Sequence, residues 1–207
     1  MTTTLSPTLL FVAGYAGSGK SMIGKILASK LQAPFLDKDT MCIPLLNEAL
    51  KVTVGDPDDR RSDFYREHFK DREYECAIAC AWENLRLTPT SIVVGPFSTN
   101  FLNKEWMGEL DRQAKKLNGR WHVIWVDTSP DQALKMLKSR RKPRDIPLIE
   151  NWATHVKRCP YGIMPPPIDA DNYSVIKNDG RNLHDIAADI DALLVELGLT
   201  PTKTTAG

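Results

Sequence analysis

Leu9-Leu10-Phe11-Val12-Ala13-Gly14-Tyr15-Ala16-Gly17-Ser18-Gly19-Lys20-Ser21 decides the fold. Leu9 to Ala13 is a short apolar run of the kind that forms a strand buried on both faces. From Lys20 to Leu31 the apolar residues Ile23, Ile26, Leu27 and Leu31 share one face of a helix. Between these two elements, Gly14 to Ser21 fits G-x-x-x-x-G-K-[ST] at every fixed position. A polyphosphate lying against several backbone N–H groups needs a loop that takes unusual φ/ψ without a Cβ clash, and Gly14, Gly17 and Gly19 meet that demand. Tyr15, Ala16 and Ser18 complete the loop, and the helix that follows turns its unpaired N–H groups toward the phosphates. In this reading Lys20 reaches the β and γ oxygens and Ser21 ligates Mg²⁺.

Outward from this stretch the chain alternates between strand and helix. Further strands are expected at Ala33 to Leu36, Ser91 to Val94, Trp121 to Val126 and Tyr173 to Ile176. Helical stripes recur at Leu102, Trp106, Leu110, Ala114 and Leu117, at Ala133, Leu134 and Leu137, and from Leu183 to Leu197. This alternation predicts an α/β three-layer sandwich with a five-stranded parallel sheet. The crossover from the second strand to the third is too long for one helix, so residues 40–90 read as a helical insertion that binds the acceptor. It is expected to hold one helix over Met41 to Leu50 and a longer one over Asp58 to Leu87, linked by the turn-rich Gly55-Asp56-Pro57-Asp58. One domain is expected over 8–199, with flexible tails at 1–7 and 200–207 and a stiff Pro-rich loop over 159–172.

Composition excludes several classes of function. The 207 residues are 42% hydrophobic and 26% charged, which suits a folded domain with a full core. Lys plus Arg number 27 against 26 for Asp plus Glu, so the net charge of +1 makes long nucleic acid an unlikely partner by field alone. No apolar run approaches the ~20 residues of a membrane span, and the uncharged start lacks the pattern of a secretory signal. Cys42, Cys76, Cys80 and Cys159 form no Cys-x-x-Cys and read as reduced thiols, which with the missing signal implies a cytoplasmic protein. His68, His122, His155 and His184 have no mutual spacing suited to a metal, and His155 with Cys159 four residues on is only a pair.

Three further stretches carry a resemblance. They are Phe35-Leu36-Asp37-Lys38-Asp39 at the second strand, Val94-Gly95-Pro96-Phe97 after the third, and Arg140-Arg141-Lys142-Pro143-Arg144-Asp145 after the fourth strand and its helix. With the glycine-rich loop, they make the chain resemble the P-loop kinases of small molecules and nucleotides, from Leu9 to about Leu197. That group includes shikimate kinase, gluconate kinase, chloramphenicol phosphotransferase and the kinase domain of polynucleotide kinases. The resemblance implies an ATP-dependent, magnesium-requiring transfer of the γ-phosphoryl group to a hydroxyl of a small molecule.

Asp37 and Asp39 look like the acidic pair of shikimate kinase, one carboxylate holding the hydrated magnesium and the other contacting the acceptor hydroxyl. Which does which stays open, and Asp39 also suits capping of the next helix beside Thr40. Residues 138–147 fall where such kinases carry a mobile lid, whose Arg140, Arg141 and Arg144 close over the phosphoryl group. The same cluster also reads as a basic patch, and Asp145 as the N-cap of a helix through Ile149, Trp152, Ala153 and Val156. Asn178 in Asn178-Asp179-Gly180 resembles the loop that holds adenine, although a local turn fits as well. Arg60, Arg61 and Arg66 in the insertion, and Phe97, are candidates for contact with the acceptor. Gly95 stands where many P-loop proteins carry a magnesium-supporting Asp, and Thr128 follows Asp127 where motor ATPases carry a Glu, which disfavours a motor. A nucleotide or polynucleotide 5′-hydroxyl kinase and a non-catalytic nucleotide switch remain alternatives, and the chain is expected to be a monomer or homodimer.

Overall fold

Strand β1 (Thr8–Ala13) is buried at every position, and its alternating side chains go to two separate cores. Leu9, Phe11 and Ala13 pack on one face of the sheet, and Leu10 and Val12 on the other. The computed structural model describes residues 6–162 and 172–200. The expected tails, apart from residues 6, 7 and 200, and the Pro-rich loop from 163 to 171 lie outside the described residues.

The sheet has five strands in the order β2-β3-β1-β4-β5, with β2 at Phe35–Asp37, β3 at Thr90–Val94, β4 at Arg120–Asp127 and β5 at Tyr173–Lys177. Every pairing is parallel, with Val12 level with Val94 on one side and Ile124 on the other. Helices α1 (Lys20–Leu31) and α9 (Leu183–Glu196) cover one face through Ile23, Leu27, Ile186 and Ile190. Helices α4 (Lys70–Asn84) and α5 (Lys104–Lys116) cover the other through Ala77, Ala81, Leu110 and Ala114. There Phe11 meets Phe97 and Phe101 edge to face, with ring centroids 5.2 and 5.5 Å away. The expected three-layer α/β sandwich is present, and parallel strands align their carboxyl ends on one edge, where open α/β sheets bind ligands.

The insertion differs in detail from the expected two helices. Helix α2 spans Lys38–Val54 and starts three residues before the expected Met41, because Asp37 caps it. The expected long helix is broken in two, α3 at Asp63–His68 and α4 from Lys70. Asp59 accepts the amides of Arg61 and Ser62, and Ser62 then caps α3 through Tyr65 N, so the backbone before Asp63 is used in turns. Phe69 departs from helical geometry (φ −121°) and divides α3 from α4. The second strand likewise begins at Phe35, not Ala33.

Helix α1 lies so close to the sheet that Gly24 has no room for a side chain. A Cβ there would sit 2.7 Å from Val94 Cγ2 and 2.9 Å from the Phe35 ring. Gly24→Ala is therefore expected to destabilise the fold by about 1–3 kcal/mol through overpacking, read as a lower urea midpoint with an unchanged slope.

Candidate active site

The loop Gly14–Ser21 leaves β1 and enters α1 with Gly14, Gly17 and Gly19 all at positive φ. Gly19 is the N-cap of α1 at φ 90°, and a Cβ there would lie 2.2 Å from Asn178 Nδ2. No hydrogen bond engages the amides of Gly17 and Gly19 among the described residues, which suits a cradle for an anion. The loop carbonyls, by contrast, are held. Lys20 Nζ donates to Tyr15 O at 2.6 Å, and the buried Asn178 Nδ2 donates to Ser18 O at 2.7 Å. Burial draws Lys20 down to about 8, against the opposing pull of Asp39.

Ser21 Oγ donates to Asp37 Oδ2 at 2.7 Å, while Asp37 Oδ1 accepts the amides of Asp39 and Thr40 at 3.0 and 3.4 Å. The cap of α2 is thus Asp37, not Asp39. Ser21 and Asp37 offer hard oxygen ligands beside the phosphate loop, a donor set that fits Mg²⁺. Asp39 lies in the first turn of α2, where Oδ1 accepts from Lys38 Nζ at 2.9 Å and Oδ2 from Arg144 at 2.6 Å. Burial alone would raise the Asp39 carboxyl, but Lys38 and Arg144 outweigh it and hold the group well below the usual carboxylate range. Asp39 is therefore ionised at any working pH.

These groups face one cavity of about 410 Å³, which runs from Gly17, Gly19, Lys20 and Ser21 past Asp37 and Asp39 to the insertion and the 138–147 segment. Arg140 and Arg144 line it from α6 (Pro130–Arg140) and the turn Pro143–Asp145. Asp145 stands at the N-cap of α7 (Ile146–Glu150), as expected, but its side chain makes no cap bond to that helix. Its carboxylate instead takes both the Nε and an Nη of Arg140.

Five candidate site residues fall elsewhere than expected. Phe97 is 0% exposed, because a left-handed turn at φ 52° after Pro96 folds its ring back onto Phe11 and Tyr74. Arg141 closes α6 as an exposed C-cap at φ 49° and does not line the cavity. Neither do Arg61, which is exposed, or Arg66, which pairs with Asp63 at 2.7 Å in solvent. Asn178, read as an adenine contact, is instead buried behind the phosphate loop. Asp127 accepts from Gly162 N at 3.0 Å and is likewise absent from the cavity wall.

The sequence reading missed a polar group at the far end of the cavity. Glu73, 3% exposed on α4, accepts from Tyr65 OH at 2.6 Å and pairs with Lys38 Nζ at 3.5 Å. Arg60 lies over the Tyr65 ring and donates to Asn47 at 2.7 Å. The weak signal in the sequence was a Glu on the inward face of α4, at helical spacing from Ala77 and Ala81.

A family model described as an AAA domain matches residues 9–155, from β1 through the loop, the acidic pair and the lid segment. The chain belongs to this family. It is similar to the shikimate kinase of Sulfurihydrogenibium sp., at 27% identity over 72% of this chain and 76% of that protein. It is also similar to the shikimate kinase of Moorella thermoacetica, at 28% identity over 91% of this chain and 95% of that one. Among solved structures, a gluconokinase from Sinorhizobium meliloti shares the fold with a TM-score of 0.56 and 18% identity, over 92% and 93% of the two chains. The chain is a P-loop kinase of the small-molecule group. Among the described residues no helix is long and apolar enough to cross a membrane, and no three His, Cys, Asp or Glu side chains cluster as metal ligands.

The lowered Lys20 sets a direction for pH dependence. Phosphate oxygens favour its charged form, so a nucleotide raises Lys20 from about 8 and binding takes up a proton once the free amine is neutral. Affinity for Mg–ATP is expected to be flat below pH 8 and to weaken by up to ~10-fold per pH unit above it. Calorimetry in buffers of different ionisation enthalpy checks this, and Lys20→Met, weaker throughout, should lose the slope.

Proposed function

We propose that this P-loop kinase moves the γ-phosphoryl group of ATP to a hydroxyl of a small polyhydroxylated molecule. The observation that carries the reading is Asp39. It is an ionised carboxylate on the cavity wall between Lys38 and Arg144, beside a Ser21–Asp37 pair and a glycine-rich cradle with unengaged amides. The kinship with shikimate kinases supports a compact acceptor rich in hydroxyls, and a cavity of about 410 Å³ lies in the range of small-ligand sites.

The two carboxylates then divide their work. Asp37 already holds Ser21 and the start of α2, which suits the metal. Magnesium held there by Ser21 and Asp37 would neutralise the charge that develops on the terminal phosphates. Asp39 has its oxygens on the cavity side and receives the acceptor hydroxyl. The oxygen of that hydroxyl attacks the γ phosphorus, the bond to the β–γ bridging oxygen breaks, and ADP leaves. Because the transition state is loose, the hydroxyl keeps its proton until late, and a carboxylate as weakly basic as Asp39 serves first to orient it. Arg144 is shared between Asp39 and the phosphoryl group. When it swings toward the phosphoryl oxygens, Asp39 loses a cation and gains basicity as the proton must leave. Arg140, tied to Asp145, anchors the lid that carries Arg144. Glu73, Tyr65 and Arg60 form the acceptor end, supplied by the 40–90 insertion. A reaction that consumes ATP in a chain whose cysteines are all free belongs in the cytoplasm.

Incubation with Mg–ATP and a panel of cyclitols, sugars and sugar acids, followed by phosphorus NMR, is expected to give a phosphate monoester and ADP. With that acceptor, Asp39→Asn should lower kcat by ~10²-fold or more and leave Mg–ADP affinity within about threefold. Asp37→Asn should instead raise the magnesium concentration for half-maximal rate. If ATP binds and Asp39→Asn turns over every accepted substrate at the wild-type rate, the assignment is refuted.

A further inference from the structure

Tyr161 follows α8 (Trp152–Arg158) and reaches back across the chain to the phosphate loop, where its hydroxyl donates to Ala16 O at 2.8 Å. Its ring is enclosed by Tyr15, Trp152 and His155, with centroids 5.1, 5.6 and 6.0 Å away. His155 Nε2 lies 3.1 Å from the Tyr161 hydroxyl, and Cys159 Sγ lies 3.8 Å from His155 Nδ1.

Counting protons gives this chain of contacts a single direction. A carbonyl oxygen only accepts, so the one hydroxyl proton of Tyr161 goes to Ala16. The nitrogen facing Tyr161 must therefore be the donor. Burial holds His155 below its ordinary value, so the ring is neutral at pH 7 and carries one N–H. That proton sits on Nε2, which leaves Nδ1 as acceptor for the thiol. Burial also raises Cys159 and Tyr161, so each keeps its proton. The order is Cys159 S–H to His155 Nδ1, His155 Nε2–H to Tyr161 Oη, and Tyr161 Oη–H to Ala16 O.

We propose that Tyr161, oriented by His155, is a positioning residue of the phosphate cradle that aims the Gly17 amide at the bound polyphosphate. In a planar trans peptide the carbonyl and the following N–H point in opposite directions. Tyr161 does not line the cavity, whereas Ala16 and Gly17 do. Holding the Ala16 carbonyl against Tyr161 turns the Gly17 N–H the other way, and no hydrogen bond engages that amide among the described residues. The pin is needed because Gly17, at φ 78°, has the freedom to let the Ala16–Gly17 peptide rotate. Once rotated, the peptide presents an oxygen to the phosphates instead of a hydrogen. Asn178 restrains Ser18 O in the same manner, so the two supports act on peptides two residues apart.

The inference rests on the phosphate-binding reading of the loop, and calorimetry with Mg–ADP and with tripolyphosphate, well below the melting temperature, separates the two. Wild-type protein should bind both. Tyr161→Phe, which removes only the hydroxyl, should weaken both by ~5- to 10-fold, the worth of one buried hydrogen bond. His155→Ala should do the same. His155→Gln, whose amide N–H replaces Nε2–H, should restore most of the affinity, and Cys159→Ser should stay near wild type because a hydroxyl still donates to Nδ1. Wild-type affinity in Tyr161→Phe, or His155→Gln as weak as His155→Ala, overturns the proposal. Absence of binding by the wild type overturns the phosphate reading and this inference with it. If Tyr161→Phe does not fold, the two His155 variants decide the matter.

Discussion

The carboxylate of Asp37 joins two parts of the chain that must act together. One oxygen accepts amides at the start of α2 and the other accepts the hydroxyl of Ser21 at the start of α1. Two helices that leave the same carboxyl edge of the sheet, from β1 and β2 with β3 between, are thereby held in register at their N-termini. A cap bond is worth ~1 kcal/mol, but its geometric consequence is larger. It fixes α2 from its first residue, so that Asp39, in the first turn, faces the cavity shared with Lys20 and Arg144.

Around that tie the site is built by electrostatic compensation. Lys38 and Glu73 are both buried, at 7% and 3% exposure, and neither is tolerable alone at such depth. Lys38 balances Asp39 and Glu73 at once and lies over the Tyr74 ring with its nitrogen 5.1 Å from the centroid. Arg144 adds a second cation to Asp39, and Arg140 is held by the buried Asp145. Each charge a phosphoryl transfer needs is thus stabilised before any ligand arrives, which lessens reorganisation during the reaction. The phosphate loop follows the same logic in its main chain: carbonyls are occupied by Lys20, Tyr161 and Asn178, and amides are left to an anion.

The core on one face of the sheet anchors the strand that delivers the phosphate loop. Phe11, on the strand that delivers the loop, is surrounded by Phe97, Phe101, Trp106 and Trp121, with centroids 5.2 to 6.3 Å away. This aromatic packing absorbs Phe97, which its place after Gly95-Pro96 had marked as a contact for the acceptor. A residue at the carboxyl edge of a strand faces the ligand or the core according to one backbone dihedral, and at Phe97 that dihedral is left-handed.

Much of the architecture was legible because it is local. The apolar run Leu9 to Ala13, the glycine spacing to Ser21 and the stripe from Ile23 to Leu31 lie within one strand-turn-helix unit, where the periodicity of side chains dictates which face is buried. The pair Asp37 and Asp39 was legible by position at a strand end, but not its division of labour, since both residues carry the same chemistry until Ser21 and Arg144 choose between them. The residues and roles that escaped were those whose partners are distant in the chain. Glu73 matters through Lys38, Tyr161 through Ala16 and Asn178 through Ser18. The amino-acid sequence alone determined the phosphate cradle and the alternation of strands and helices, because both follow from short-range sterics and hydrophobic period. Only the tertiary structure decided which charges pair and which carbonyls are held, because an ion pair or hydrogen bond depends on where two remote backbones are brought within about 3 Å of each other.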